Sequence, residues 1–264
     1  MLELNSLQYA VEVAGASTDA PPYLLLHGFT GAAANWSRVA HALAPRSRVI
    51  APDLLGHGRT DAPPDPARYA MPHAAADLFA LWRLLELPPL HLVGYSMGGR
   101  LALYLALEYP PMIARLTLES ASPGLESDDE RLARRASDEA LADRIESDGI
   151  QAFVAAWENL PLFATQSDDV KASLRPVRLA QRPLGLANSL RGMGTGAQPS
   201  LWPRLPELTM PVQLIVGALD AKFTDINRRM QALIPMSRLT IIPGGGHTVH
   251  LEQPDAYIQA LTSG

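Results

Sequence analysis

Leu90-His91-Leu92-Val93-Gly94-Tyr95-Ser96-Met97-Gly98-Gly99-Arg100 decides how the rest of the chain is read. An apolar run ends in Gly94, and a serine stands two residues on. Gly98 and Gly99 follow, and the apolar residues from Leu101 to Leu107 then read as a helix. Gly94-Tyr95-Ser96-Met97-Gly98 fits G-x-S-x-G, the nucleophile-elbow pattern, in the strand–turn–helix context it requires. A turn tight enough to lift the serine hydroxyl above a sheet crowds its neighbours, and glycine on both sides removes the clashing Cβ atoms. The helix start beyond it offers free N–H groups to an anion.

Working outward, strands are predicted at Tyr9–Val13, Tyr23–His27 and Arg48–Pro52, with helices over 36–43 and 73–87. Arg115–Glu119 is a further strand, and Val212–Gly217 and Arg238–Ile242 continue the pattern, with helices near 226–233 and 253–261. Near-continuous apolar strands alternating with helices predict an α/β fold, a mostly parallel central sheet with helices on both faces. Functional loops then gather at the C-terminal strand ends, where His27, Asp53, Ser96 and Glu119 fall. The rhythm breaks between about 122 and 203, where only helical patterns occur: 129–145, 150–157, 168–179 and a weaker one at 184–190. We read this stretch as an inserted helical cap. The core then comprises 1–122 and 204–264, and the cap 123–203.

A chain of 264 residues is long enough for one large domain carrying such an insertion. Its 47% hydrophobic and 19% charged content mark a globular protein. A net charge of −5 without a long basic block argues against nucleic acid as a partner. No apolar run reaches the roughly 18 residues of a membrane span. Met1-Leu2-Glu3-Leu4-Asn5 has neither the positive nor the apolar region of a signal peptide. Cysteine is absent, which excludes disulfides, thiolate metal sites and a cysteine nucleophile, and fits a cytoplasmic location.

A serine hydroxyl is too weak an acid to react alone at neutral pH and needs a base, which in turn needs an orienting acid. Of seven histidines, His41, His73 and His91 lie inside predicted elements, and His27 and His57 are placed to hold loops. His247 follows a strand and the run Gly244-Gly245-Gly246 near the C-terminus, the position the order Ser…Asp/Glu…His requires. His250 is the second choice. Asp220, one strand earlier, is the expected acid, with Glu119 as the alternative. The competing reading makes Asp220 a turn residue capping the next helix, for which Asp225 is the better candidate. Two oxyanion-hole donors are expected from the backbone N–H groups of Met97 and Phe29.

His27-Gly28-Phe29, Asp53-Leu54-Leu55-Gly56-His57-Gly58, the elbow and Gly246-His247 together resemble the α/β-hydrolase superfamily over nearly the whole chain outside the cap. Further motifs narrow the likeness: the elbow extended to Arg100, Pro123-Gly124-Leu125 with Arg131 and Arg134, and Phe153 with Trp157 and Pro161-Leu162-Phe163. Gly217-Ala218-Leu219-Asp220-Ala221-Lys222-Phe223 and Gly246–Glu252 complete the set. In this order they resemble the menaquinone-pathway 2-succinyl-6-hydroxy-2,4-cyclohexadiene-1-carboxylate synthase family. That resemblance implies a carbon–oxygen lyase that uses no cofactor or metal. A ring proton is abstracted by the histidine-activated serine, and pyruvate leaves from an enolpyruvyl ether. The implied small-molecule substrate carries three carboxylates.

Arginine positions bear on that implication. Arg100 follows Ser96 by four residues, one helical turn along the same face, where a cation opposes the helix dipole at about 0.3–1 kcal/mol unless an anion offsets it. By resemblance, Arg134 and Arg178 are carboxylate ligands, with Arg175 as fallback for Arg178, and guanidinium forks suit bidentate capture. Tyr95 and Trp157 are expected to line the pocket, with Lys222 beside it. Two other classes stay in view: a serine hydrolase of an ester or a diketone carbon–carbon bond using the same triad, and a non-catalytic ligand receptor on this fold.

Overall fold

A computed structural model of the chain describes residues 1–16 and 18–263. The chain opens with a hairpin of β1 (Leu2–Leu4) and β2 (Leu7–Tyr9), turned by Asn5 and Ser6, both at positive φ. The apolar pattern alone predicts one continuous strand over 9–13 and none over 2–4. Instead Tyr9 closes the hairpin, and a separate β3 (Val11–Ala14) runs antiparallel to β5 (Val49–Pro52). Asn-Ser lacks the glycine that usually announces such a turn, although asparagine tolerates φ > 0.

The main sheet has seven strands in the order β3-β5-β4-β6-β7-β8-β9. Here β4 is Tyr23–Leu26, β6 Leu90–Tyr95, β7 Ile113–Glu119, β8 Val212–Gly217 and β9 Ser237–Ile242. All neighbours from β5 to β9 are parallel. Successive residues of a strand face opposite sides. Leu24 and Leu26 accordingly pack with α2 (Met71–Leu84) and α3 (Met97–Glu108), whereas Leu25 packs with α1 (Ser37–Leu43) and α9 (Pro254–Thr262). Each fully buried leucine contributes about 1.5–3 kcal/mol of hydrophobic stabilisation, so both faces must be covered.

Between β7 and β8 the described residues form helices and no strand. These are α4 (Asp128–Trp157), α5 (Asp168–Leu179), α6 (Pro183–Met193) and short 3-10 turns. Ser127 and Glu130 form a reciprocal capping box at the start of α4. Gly149, at φ 78° and ψ 171°, breaks α4 where sequence periodicity separates two helices. The cap has its own apolar cluster, in which Ala142, Ile145, Phe153 and Val154 of α4 meet Leu186, Ala187 and Leu190 of α6. Phe29, from the loop after β4, packs against it. After β8, α7 (Ala221–Leu233) leads to β9, and the short α8 (Val249–Glu252) precedes α9. No helix among the described residues is long and apolar enough to cross a membrane.

Candidate active site

The parallel sheet brings the ends of β6, β8 and β9 to one edge. Ser96 stands between β6 and α3 with φ 49° and ψ −108°, a conformation that non-glycine residues rarely adopt. The motif glycines make that turn possible by close approach. A Cβ on Gly94 would run into the Gly98 carbonyl, and one on Gly98 into the carbonyls of Leu26 and His27 on the neighbouring strand. Ser96 N–H donates to the Glu119 carbonyl at 2.8 Å, which holds the residue in place.

Asp220 and His247 reach the same point from beyond the ends of β8 and β9, two and three strands along the sheet from β6. His247 Nε2 lies 3.1 Å from Ser96 Oγ, and its Nδ1 lies 2.7 Å from Asp220 Oδ2. Nδ1 therefore carries the proton, leaving Nε2 free to accept one from the serine. Asp220 also has the role that sequence reading gave to Asp225: its Oδ1 accepts from Phe223 N–H at 3.3 Å and caps α7. One carboxylate serves both because α7 begins directly after it, whereas Asp225, one turn inside, pairs with Arg228. Phe223 packs on the His247 ring at 4.5 Å. The backbone N–H groups of Met97, at the start of α3, and of Phe29, after β4, are bonded to no other group among the described residues. His27 fixes the second loop, since its Nε2 accepts from Leu54 N–H at 2.9 Å and its Nδ1 bonds the Gly28 carbonyl at 2.8 Å.

Above the serine lies a cavity of about 250 Å³. Its roof is aromatic: Trp157 stands 5.3 Å from Phe29, 5.4 Å from Phe153 and 5.7 Å from Phe163. Tyr95, Ser96 and His247 form the base. Arg100, Arg134 and Lys222 also line this cavity. Tyr95 hydroxyl bonds Thr248 Oγ1 at 3.0 Å, and burial pushes its pKa well above the ordinary value.

The helix-dipole reading of Arg100 needs correction. Its Nη1 donates to the carbonyl of Met193 at 2.8 Å and to Gln198 Oε1 at 3.0 Å. Met193 is the last residue of α6, so the guanidinium sits at a negative helix end that already offsets the unfavourable start of α3. Even so, burial and the nearby Arg134 pull the Arg100 pKa down to about 10, against partial support from Asp138. Arg134 uses Nε for Asp138 at 2.7 Å and remains substantially exposed.

Arg178 is placed differently from the other cations. Its side chain is buried, lies over Phe163 at 5.3 Å and borders a separate cavity of about 30 Å³ that shares Phe29, Tyr95 and Phe163 with the first. Nη1 stands 3.4 Å from Glu158 Oε1, an ion pair without hydrogen-bond alignment, and Arg175 approaches the same carboxylate at 3.4 Å. The three cap and elbow arginines therefore do not converge on one cavity in this conformation, because the phase of α5 turns Arg178 toward α4. Sequence reading also missed Gln198, which holds Arg100 from a stretch without periodicity. It likewise missed Ser120, a fully buried residue at φ 47° that lines the cavity above Ser96.

A family model of the α/β hydrolase fold matches residues 21–254. A Bacillus subtilis (strain 168) protein with the provisional name 2-succinyl-6-hydroxy-2,4-cyclohexadiene-1-carboxylate synthase is 46% identical over 253 residues, 95% of this chain and 92% of that one. The synthase of that name from Serratia proteamaculans (strain 568) is 32% identical over 92% of each chain. The solved structure of MenH from S. aureus superposes with a TM-score of 0.91 at 34% identity, covering 97% of this chain and 96% of that one. The chain belongs to the α/β-hydrolase family and, within it, to the group of 2-succinyl-6-hydroxy-2,4-cyclohexadiene-1-carboxylate synthases.

Proposed function

We propose that this chain is a lyase of menaquinone biosynthesis. It converts 2-succinyl-5-enolpyruvyl-6-hydroxy-3-cyclohexene-1-carboxylate into 2-succinyl-6-hydroxy-2,4-cyclohexadiene-1-carboxylate and pyruvate. One observation supports the reading beyond the family likeness: Ser96 and His247 lie at the base of a cavity whose wall holds Arg100, Arg134 and Lys222. A neutral ester needs no such wall, whereas a substrate with three carboxylates does.

In this reading His247 Nε2 takes the Ser96 proton as Ser96 Oγ removes a ring C–H proton. Asp220 holds the imidazole in the required tautomer and stabilises the imidazolium. The C–H electron pair forms a new ring double bond to the adjacent alkene carbon, the existing double bond shifts one position along the ring, and the ring carbon–oxygen bond to the enolpyruvyl group breaks, taking its electron pair with the oxygen. His247 returns its proton toward the departing enolpyruvate, which tautomerises to pyruvate. The N–H groups of Met97 and Phe29 stabilise negative charge as it develops, a role worth about 2.7–4 kcal/mol per donor in comparable sites. Arg100, Arg134 and Lys222 receive carboxylates directly. Arg178 acts from the adjoining cavity. Trp157 closes the apolar roof and keeps water from the reacting centre.

Incubating the purified protein with the enolpyruvyl substrate tests this function. Pyruvate and the conjugated diene should appear in equal amounts at equal rates. Consumption of substrate without diene absorbance would place the chain among the serine hydrolases instead.

A further inference from the structure

Glu119 and His250, the second choices for acid and base in the sequence, are bonded to each other behind the triad. Glu119 ends β7 and is 0% exposed; His250 lies in α8 and is 2% exposed. The Glu119 carboxylate accepts from the His250 backbone N–H at 3.0 Å, and His250 Nδ1 lies 2.9 Å from each of its oxygens. Trp36 stacks on the His250 ring at 4.2 Å and 25°, and Tyr95 meets it edge-on at 4.9 Å.

The pair joins two elements that must agree in position. The backbone carbonyl of Glu119 receives Ser96 N–H, and its side chain holds the residue three places after His247. A second carboxylate, Glu252, also supports the histidine loop, taking Gly246 N–H and Thr248 N–H at 2.9 Å each. Those bonds fix the internal shape of the loop but do not locate it relative to the serine. Tyr95 and Thr248 supply a neutral tie between the same two segments. The Glu119–His250 tie is buried and charge-assisted, which makes it the stronger class of hydrogen bond.

Stability alone is a poor explanation for such a pair. Desolvating a carboxylate is expensive, and apolar residues of similar shape often serve a core equally well. Ser96, by contrast, needs an external constraint, because its φ of 49° is costly and persists only where the surroundings over-determine it. We infer that Glu119, through His250, is a positioning residue that sets the approach of His247 to Ser96. This inference rests on the reading of Ser96 as the reactive group of a triad.

The test uses a fluorophosphonate, whose capture rate reports activation of Ser96 without the natural substrate. Wild-type protein, Glu119→Gln, His250→Gln and the double variant are compared, with thermal unfolding measured on each. Wild-type protein should be labelled at Ser96. Each single variant should remain folded and react more slowly, on the order of tenfold to a hundredfold, the scale of a small misplacement of reacting groups. The double variant should be no slower than the slower single one, because both break one link. Folded variants labelled at the wild-type rate would overturn the inference, whatever their unfolding temperatures. Failure of wild-type Ser96 to react would remove the triad reading, and this inference with it. If the variants do not fold, amide hydrogen exchange of the wild-type chain decides. The Ser96 and His250 amides should open as one unit, and a His250 amide that exchanges while Ser96 stays protected contradicts the link.

Discussion

The sheet edge and the cap solve different problems with the same kinds of side chain. At the edge, Asp220, His247 and Glu119 are buried and bonded in fixed geometry, each set by the end of a strand or the loop beyond it. In the cap, charged groups satisfy one another: Arg134 with Asp138, Arg178 and Arg175 with Glu158, and Arg191 with Glu139, Asp143 and Glu146. Chemistry that needs sub-ångström placement sits on the rigid layer. In the proposed function, recognition of a charged ligand falls to helices whose ion pairs would be exchanged for carboxylates of the ligand. The backbone carries the same contrast, for α4 is interrupted at Gly149 whereas the β6–α3 elbow is locked by close contacts.

The largest expected effect is at the edge. Ser96→Ala should lower kcat on the order of 10⁴-fold or more with the fold intact, checked by pyruvate release beside circular dichroism. Turnover near the wild-type rate would remove the serine from the mechanism. In the cap, Arg134→Ala and Arg178→Ala should chiefly raise KM, on the order of tenfold or more, the loss of a charge-assisted hydrogen bond worth about 1.5–3 kcal/mol. If Arg178→Ala leaves KM unchanged, Arg178 serves Glu158 and the cap alone. If neither changes it, the cationic wall is not the carboxylate site.

Gly149→Ala sharpens the comparison through stability. Among the described residues no heavy atom beyond the adjoining residues and the helix's own backbone lies within 4 Å of the added Cβ, so any cost comes from the backbone conformation. A φ of 78° with ψ of 171° is a glycine region, and alanine there should destabilise the chain by about 1–3 kcal/mol in denaturant unfolding. Fluorophosphonate capture by Ser96 should be unaffected.

The smallest effect near neutral pH concerns two buried histidines, His91 near the start of β6 and His57 in the loop after β5. Burial, followed by the charge of Arg115, lowers the His91 pKa from 6.5 to about 3, and burial does the same to His57. Below pH 6.5 the unfolded chain binds protons that the folded chain refuses. Stability is therefore full above 6.5 and falls as the pH drops toward 3. His91→Gln should reduce that slope by one proton, about 1.4 kcal/mol per pH unit, in urea unfolding across this range. An unchanged slope would mean that His91 takes up a proton in the folded state.

How much of this was legible in the sequence follows the same division. Gly94, Ser96 and Gly98 could be read because a tight turn imposes its residues locally, and His247 and Asp220 because strand order imposes their sequence along the chain. Arg178 could not be placed, since a helix phase off by one position turns a side chain from a cavity to a neighbouring helix. Glu119 and His250 could be singled out but not paired: 131 residues separate them, and no local pattern encodes that contact. The Asn5-Ser6 turn went unread because its positive φ values are carried without glycine.

Turnover in water enriched in oxygen-18 tests most directly whether this serine eliminates or hydrolyses. Elimination consumes no water, so the carboxylates of pyruvate and of the diene should both come out unlabelled by mass spectrometry. One heavy oxygen in a product carboxylate would show that water had attacked an acyl group on Ser96, and would contradict the lyase.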